Sequence, residues 1–134
     1  MKKFFTLCAV VAMFLQLNAQ DLVVTSPQLK NVILEEYTGI NCPYCPYGHE
    51  VAEEIYDGAP NRVAIVNVHT GSYATPSGTQ PDFRTDFGSA LASEASVNGF
   101  PMASVNRHLF AGITSGGTAM SRGDWPATAD VILE

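Results

Sequence analysis

Cys42 and Cys45 stand three positions apart in the run Asn41-Cys-Pro-Tyr-Cys-Pro-Tyr-Gly-His-Glu50, each followed by proline. Two sulfurs at this spacing can exchange disulfides, take part in a metal site, or close a passive staple. Exchange needs a thiolate nucleophile and a second thiol close enough to resolve the mixed disulfide. A helix starting here would turn unpaired N–H groups and the positive end of its dipole toward Cys42, and both favour the thiolate. Cys42 is then the attacking sulfur, and Cys45, one turn deeper, the resolving one. Pro43-Tyr44 between them adds no charge. A zinc site would draw on Cys42, Cys45, His49 and His69, a two-cysteine, two-histidine set. Metal-binding cysteine pairs usually sit in turns, whereas Pro43 and Pro46 suit the first turn of a helix, where a missing N–H breaks no bond. The pattern favours exchange, with zinc and a permanent disulfide as the alternatives.

The surrounding elements must place these groups. Residues 31–37 begin apolar and β-branched and predict a strand, broken at Thr38-Gly-Ile-Asn41. A helix is predicted over 42–57, with Val51, Ala52, Ile55 and Tyr56 as its apolar stripe. Residues 62–68 predict a second strand, apolar enough to be buried on both faces. Residues 69–82 form a long polar loop, a length that usually signals function. A second helix is predicted from about residue 82 to 97, with Phe83, Phe87 and Leu91 as its core stripe. A third strand follows at 100–110, opened by Pro101, and then a turn or short hairpin over 112–117. Ser121 and Asp124 have the spacing of a capping box for a last helix carrying Trp125, Thr128, Ala129 and Ile132. The Arg122-Gly-Asp124 tripeptide is that helix start rather than an adhesion motif.

Strand–helix–strand order implies a parallel pair with a crossover helix, and sites in such sheets lie beyond the carboxyl ends of the strands. Cys42 and His69 each follow a strand and should share that edge. Of the neighbours Glu35 and Glu36, alternation sends one inward without saying which. If Glu36 is buried, desolvation raises its pKa and it can take a proton from Cys45. Tyr44, Tyr47 and Tyr73 can shape an apolar groove.

A chain of 134 residues has room for one domain. Lys2 and Lys3, the apolar run from Phe4 to Leu17 and Asn18-Ala19-Gln20 predict a signal peptide over 1–20, leaving 21–134 as the domain. The run falls short of the about 20 apolar residues a membrane span needs. Cys8 would leave with the signal, so Cys42 and Cys45 remain as an even pair in an oxidising space. Five basic residues then face thirteen acidic ones, a formal charge of −8, which excludes nucleic acid and anionic membrane surfaces as natural partners. The lysine-led signal suggests bacterial export.

The strand–CPYC–helix arrangement resembles the thioredoxin-like superfamily, and the four residues match the glutaredoxin motif. Glu36 lies six residues before Cys42, where thioredoxins carry a buried acid. "VNGFPMASV" resembles the strand that opens with a cis-proline opposite the thiols, which implies a cis Phe100–Pro101 bond, an antiparallel third strand, and His108 at the far edge as a structural or solvated residue. The resemblance implies an α/β thioredoxin-like fold, a central mixed sheet flanked by helices with the CxxC at a helix N-terminus. It implies Cys42, Cys45, Glu36 and Pro101 as the catalytic set, and Tyr44, Phe100 and His69 along the substrate groove. No cofactor or metal is implied. Protein thiols and disulfides are the implied partners, with a reduction potential of about −200 mV by analogy with glutaredoxins. "VILEEYTGINCPYCP", "PDFRTDFGSALASEASVNGFP" and "VNRHLF" are further similar to the Bacteroidetes thioredoxin-like outer-membrane-protein family of about 28 kDa, although no alternating strands here build a barrel. That family carries a further C-terminal domain, which agrees with a last helix that stops without a cap and looks truncated. The expected location is the periplasm or the outer membrane of a Gram-negative bacterium. The alternative function is a non-catalytic thioredoxin-fold module at the outer membrane, with the CxxC a permanent disulfide.

Overall fold

A computed structural model describes Ser26 and residues 28–134. The expected signal peptide and Cys8 lie outside the described residues. Strand β1 (Val32–Thr38) is followed by helix α1 (Cys45–Gly58) and strand β2 (Val63–His69). Helix α2 (Asp86–Glu94), strands β3 (Met102–Val105) and β4 (Met120–Ser121), and helix α3 (Trp125–Leu133) complete the order. The sheet is mixed, in the order β2-β1-β3-β4. β1 and β2 are parallel, with Val32 opposite Val63 and Thr38 opposite His69. β3 runs antiparallel to β1, placing Met102 opposite Tyr37, and β4 antiparallel to β3. Among the described residues no helix is long and apolar enough to cross a membrane.

The period-2 alternation of β1 divides the molecule into two layers. Val32 and Leu34 point to the face covered by α1 and α3, where Ala52, Val63, Ala103, Val105, Phe110, Met120, Trp125, Ala129 and Ile132 form the larger core. Tyr37 points to the other face and joins Val68, Ala92, Ala95 and Ala119 beneath α2. Trp125 is fully buried, and its indole N–H donates to the Met120 carbonyl at 3.1 Å, so its polar edge costs nothing.

The structure corrects several sequence expectations. α1 starts at Cys45, with Tyr44 as its N-cap, so Cys42 sits in the preceding turn rather than in the helix. The pyrrolidine of Pro43 disfavours helical backbone at Cys42. α2 starts at Asp86 because the Thr85 hydroxyl accepts from the Gly88 N–H at 2.9 Å, while Asp82 is engaged by Arg84. That frame buries Gly88 and Ala92, and leaves Phe83 and Phe87 exposed instead of forming the core stripe. β2 is an edge strand covered on one face only over much of its length, so Val66 remains exposed rather than buried. No capping box forms at Ser121, which ends β4; Arg122–Asp124 make one 3-10 turn, and the Thr128 hydroxyl donates to the Asp124 carbonyl. The buried stripe of α3 is Trp125, Thr128, Ala129 and Ile132, as the spacing predicts. His108 is exposed, edge-on to Phe110.

Candidate functional site at the carboxyl edge of the sheet

Cys42 and Cys45 are joined by a disulfide in the turn between β1 and α1. The Cys42 N–H donates to the Gly39 carbonyl at 3.0 Å, closing the turn that carries the pair off the strand. Cys42 keeps 7% of its surface exposed and Cys45 only 1%. An incoming sulfur can therefore approach Cys42 more readily than Cys45. Tyr44 between them is well exposed.

Glu36 lies directly beneath α1. Its side chain is fully buried, and Oε2 is 2.8 Å from His49 Nδ1. Oε1 has no hydrogen-bond partner among the described residues. Burial pushes the Glu36 carboxyl above its ordinary range; the charge of His49, and then its hydrogen bond, pull in the opposite direction without cancelling it. The Phe100–Pro101 bond is cis, and Pro101 packs against Gly48. A Cβ on Gly48 would stand 2.7 Å from both Glu36 Oε1 and Pro101 Cγ. Gly48 thus lets helix, carboxyl and proline meet. Gly48 lies one turn beyond Cys45, on the same helix face, and both are buried. Sequence reasoning passed over Gly48. The signal was there: glycine inside a helix costs about 1 kcal/mol relative to alanine, and such a residue often marks a close approach.

The long loop over 69–82 is fastened to the same edge. The Asn41 N–H donates to the Tyr73 carbonyl at 2.9 Å, its side-chain amide donates to the Thr75 carbonyl at 2.8 Å, and Gln80 donates to its Oδ1 at 3.1 Å. Ser72–Ala74 make a 3-10 turn. Gly39 has no room for a side chain, because a Cβ there would run into the backbone of Tyr73 and Ala74. Phe100 lies over Gly71 and meets the Tyr73 ring edge-on at 6.0 Å. His69 packs on Phe83 at 5.1 Å between ring centroids. Desolvation, then the charge of His49, lower its pKa, so its ring favours the neutral form. Tyr47 faces away from this loop, under the Arg122 guanidinium at 4.9 Å.

The structure therefore brings Cys42, Cys45, Glu36 and Pro101 to one end of α1, with Tyr44 exposed beside the pair and Phe100 and His69 along the loop. His49, weighed in the sequence as a zinc ligand, is the partner of Glu36. Among the described residues no three Cys, His, Asp or Glu side chains gather as a metal site. Glu35 points to the opposite face, where Arg107 Nε donates to its Oε2 at 2.8 Å. The arrangement sets a disulfide, Cys42 its more accessible sulfur, ahead of a helix whose buried face meets a carboxyl at Gly48.

No family model and no curated protein matches the chain. Its fold is similar to the crystal structure of a protein from Agrobacterium tumefaciens, at 15% sequence identity and a TM-score of 0.53 over 80% of this chain. The chain spans 46% of that protein's length. At this identity the likeness concerns the fold alone.

Proposed function

We propose that the chain is an exported thiol–disulfide oxidoreductase of thioredoxin-like fold, acting on protein thiols and disulfides in the periplasm or at the outer membrane of a Gram-negative bacterium. The observation that carries the reading is the Cys42–Cys45 disulfide at the carboxyl end of β1, ahead of a helix against which cis-Pro101 is packed. Export rests on the pattern of residues 1–20, and the location on the resemblance to the Bacteroidetes outer-membrane-protein family.

In the reduced protein the Cys42 thiolate attacks one sulfur of a substrate disulfide. A bond forms between Cys42 Sγ and that sulfur, the substrate S–S bond breaks, and the departing sulfur takes a proton from water. Cys45 then gives its proton to Glu36, and the new thiolate attacks Cys42 Sγ. The mixed disulfide breaks, the second substrate sulfur leaves and is protonated, and two electrons have passed to the substrate. A dithiol donor returns the Cys42–Cys45 disulfide to the reduced state; substrate oxidation is the same sequence reversed.

Insulin reduction with a dithiol donor tests this. Wild type turns over, Cys42→Ser does not, and Cys45→Ser accumulates a mixed disulfide. Equal rates for wild type and Cys42→Ser would refute the activity. Titration against a redox buffer should give a midpoint of about −200 mV, and a pair still oxidised below about −300 mV would be a structural staple.

A further inference from the structure

We propose that His49 is the positioning residue of the resolving step: it occupies Glu36 Oε2, so that Oε1 is the free acceptor for the Cys45 proton. The proposal rests on the exchange reading above and adds a residue to it.

The geometry is specific. A buried carboxylate offers about four acceptor sites, and one with no partner on an oxygen is unusual enough to need a reason. Here one oxygen is held at 2.8 Å by the His49 ring and the other has no hydrogen-bond partner among the described residues. The unpartnered oxygen is the one turned toward Gly48, on the face that α1 shares with Cys45. A carboxyl that rotated freely would present either oxygen. The hydrogen bond to His49 fixes which one faces the helix. His49 itself is 42% exposed, so it joins the sealed carboxyl to solvent.

Few other groups compete. The shallow groove over the pair is lined by Ala52 and Glu53 from α1 and by Ile65 and Asn67 from β2. From β3, Ala103 lies opposite Glu36 and carries no charge. Among the described residues the titratable groups shown beside the pair are Glu53 on α1 and His69 at the end of β2. Among the described residues His49 is the group that opposes desolvation of Glu36, and in both of its effects, charge and hydrogen bond, it favours the ionised carboxyl. Without the ring, burial acts unopposed. Glu36 would then hold its proton to higher pH and could not take one from Cys45.

The test pairs two readouts in wild type, His49→Ala and His49→Asn. Asparagine keeps a donor near the position of Nδ1 without an ionisable ring. The first readout is the titration midpoint of the Glu36 carboxyl, followed by carbon-13 NMR in the oxidised protein, which does not depend on catalysis. The second is the pH profile of product release from a preformed Cys42 mixed disulfide. His49→Ala should raise the midpoint and slow release near pH 7, by up to about tenfold for each unit of that rise. His49→Asn should recover part of both, and the alkylation rate of Cys42 should stay the same in all three. An unmoved carboxyl midpoint in His49→Ala would overturn the proposal, as would a raised midpoint with an unchanged release profile. If Cys42→Ser proved as active as wild type, the exchange reading would fall, and the NMR titration would still report whether His49 governs Glu36.

Discussion

β1 carries two glutamates side by side, and the two faces of the sheet treat them differently. Glu35 points to the α2 side, where the Arg107 guanidinium grips both of its oxygens. Glu36 points to the α1 side, fully buried, with one oxygen on a histidine and the other unpartnered among the described residues. The same contrast holds for the layers around them. The α1 and α3 face is a continuous core closed by Trp125. The α2 face is covered mainly near the carboxyl end of β1, and Ile33 near its start and Val66 beside Glu35 remain exposed. A buried carboxylate gripped on both oxygens holds a structure together, whereas a buried carboxyl with an unpartnered oxygen is costly and is found more often where chemistry uses it.

Substitutions can sharpen or break that contrast. The largest effect belongs to the closed face: Trp125→Ala should destabilise by about 3–5 kcal/mol, read from urea denaturation, because it empties a fully buried site and removes an indole hydrogen bond. Arg107→Ala should cost less, about 1–2 kcal/mol. It strands Glu35, but the guanidinium is 55% exposed and water screens the pair. Replacing both by apolar residues, Glu35→Leu with Arg107→Met, should recover most of that loss and leave insulin reduction unchanged. If the double substitution abolished turnover, Glu35 would not be merely structural.

Glu36→Gln addresses the other carboxyl through pH. Burial raises the folded pKa of Glu36 above 4.5, so the folded chain binds the proton more tightly than the unfolded one. The stability this supplies is complete below pH 4.5 and is lost as pH rises through the folded value. Wild type should therefore lose stability relative to Glu36→Gln as pH increases from 4.5, with the amide variant slow in the resolving step. Parallel stability curves for the two proteins would show that Glu36 carries no raised pKa. The smallest effect is expected on the open side, where Phe87 is 83% exposed: Phe87→Ser should change stability by no more than about 0.5 kcal/mol. A large loss there would mean that the α2 face is better packed than its exposure indicates.

Much of this was legible in the residues. The alternation of strand, helix and strand placed Cys42 and His69 at one edge, and the parallel pairing of β1 with β2 puts them there. The spacing of Trp125, Thr128, Ala129 and Ile132 marked the buried stripe of α3. What failed was phase. Phe83 and Phe87 had helical spacing, but the Thr85 cap started α2 late and turned a smaller glycine–alanine face inward. Periodicity identifies a stripe without saying that a helix begins in time to use it, and large aromatic residues weigh heavily in such a pattern wherever they point. Likewise β2 was apolar enough for a central strand, yet it lies at the edge of the sheet, because edge position depends on pairing partners and not on the strand's own composition.

Local chemistry determined the rest that the sequence could determine. Two cysteines three positions apart can close a ring, and prolines beside them hold the pair at the entry of a helix rather than inside it. The tertiary structure alone decided which glutamate faces that helix, that His49 partners its carboxyl, and that Gly48 gives Pro101 room to reach them. Each of these depends on the register between strands and the rotation of one helix over a sheet. Shifting a strand by one residue exchanges its faces, and nothing in the residues adjacent along the chain fixes that choice.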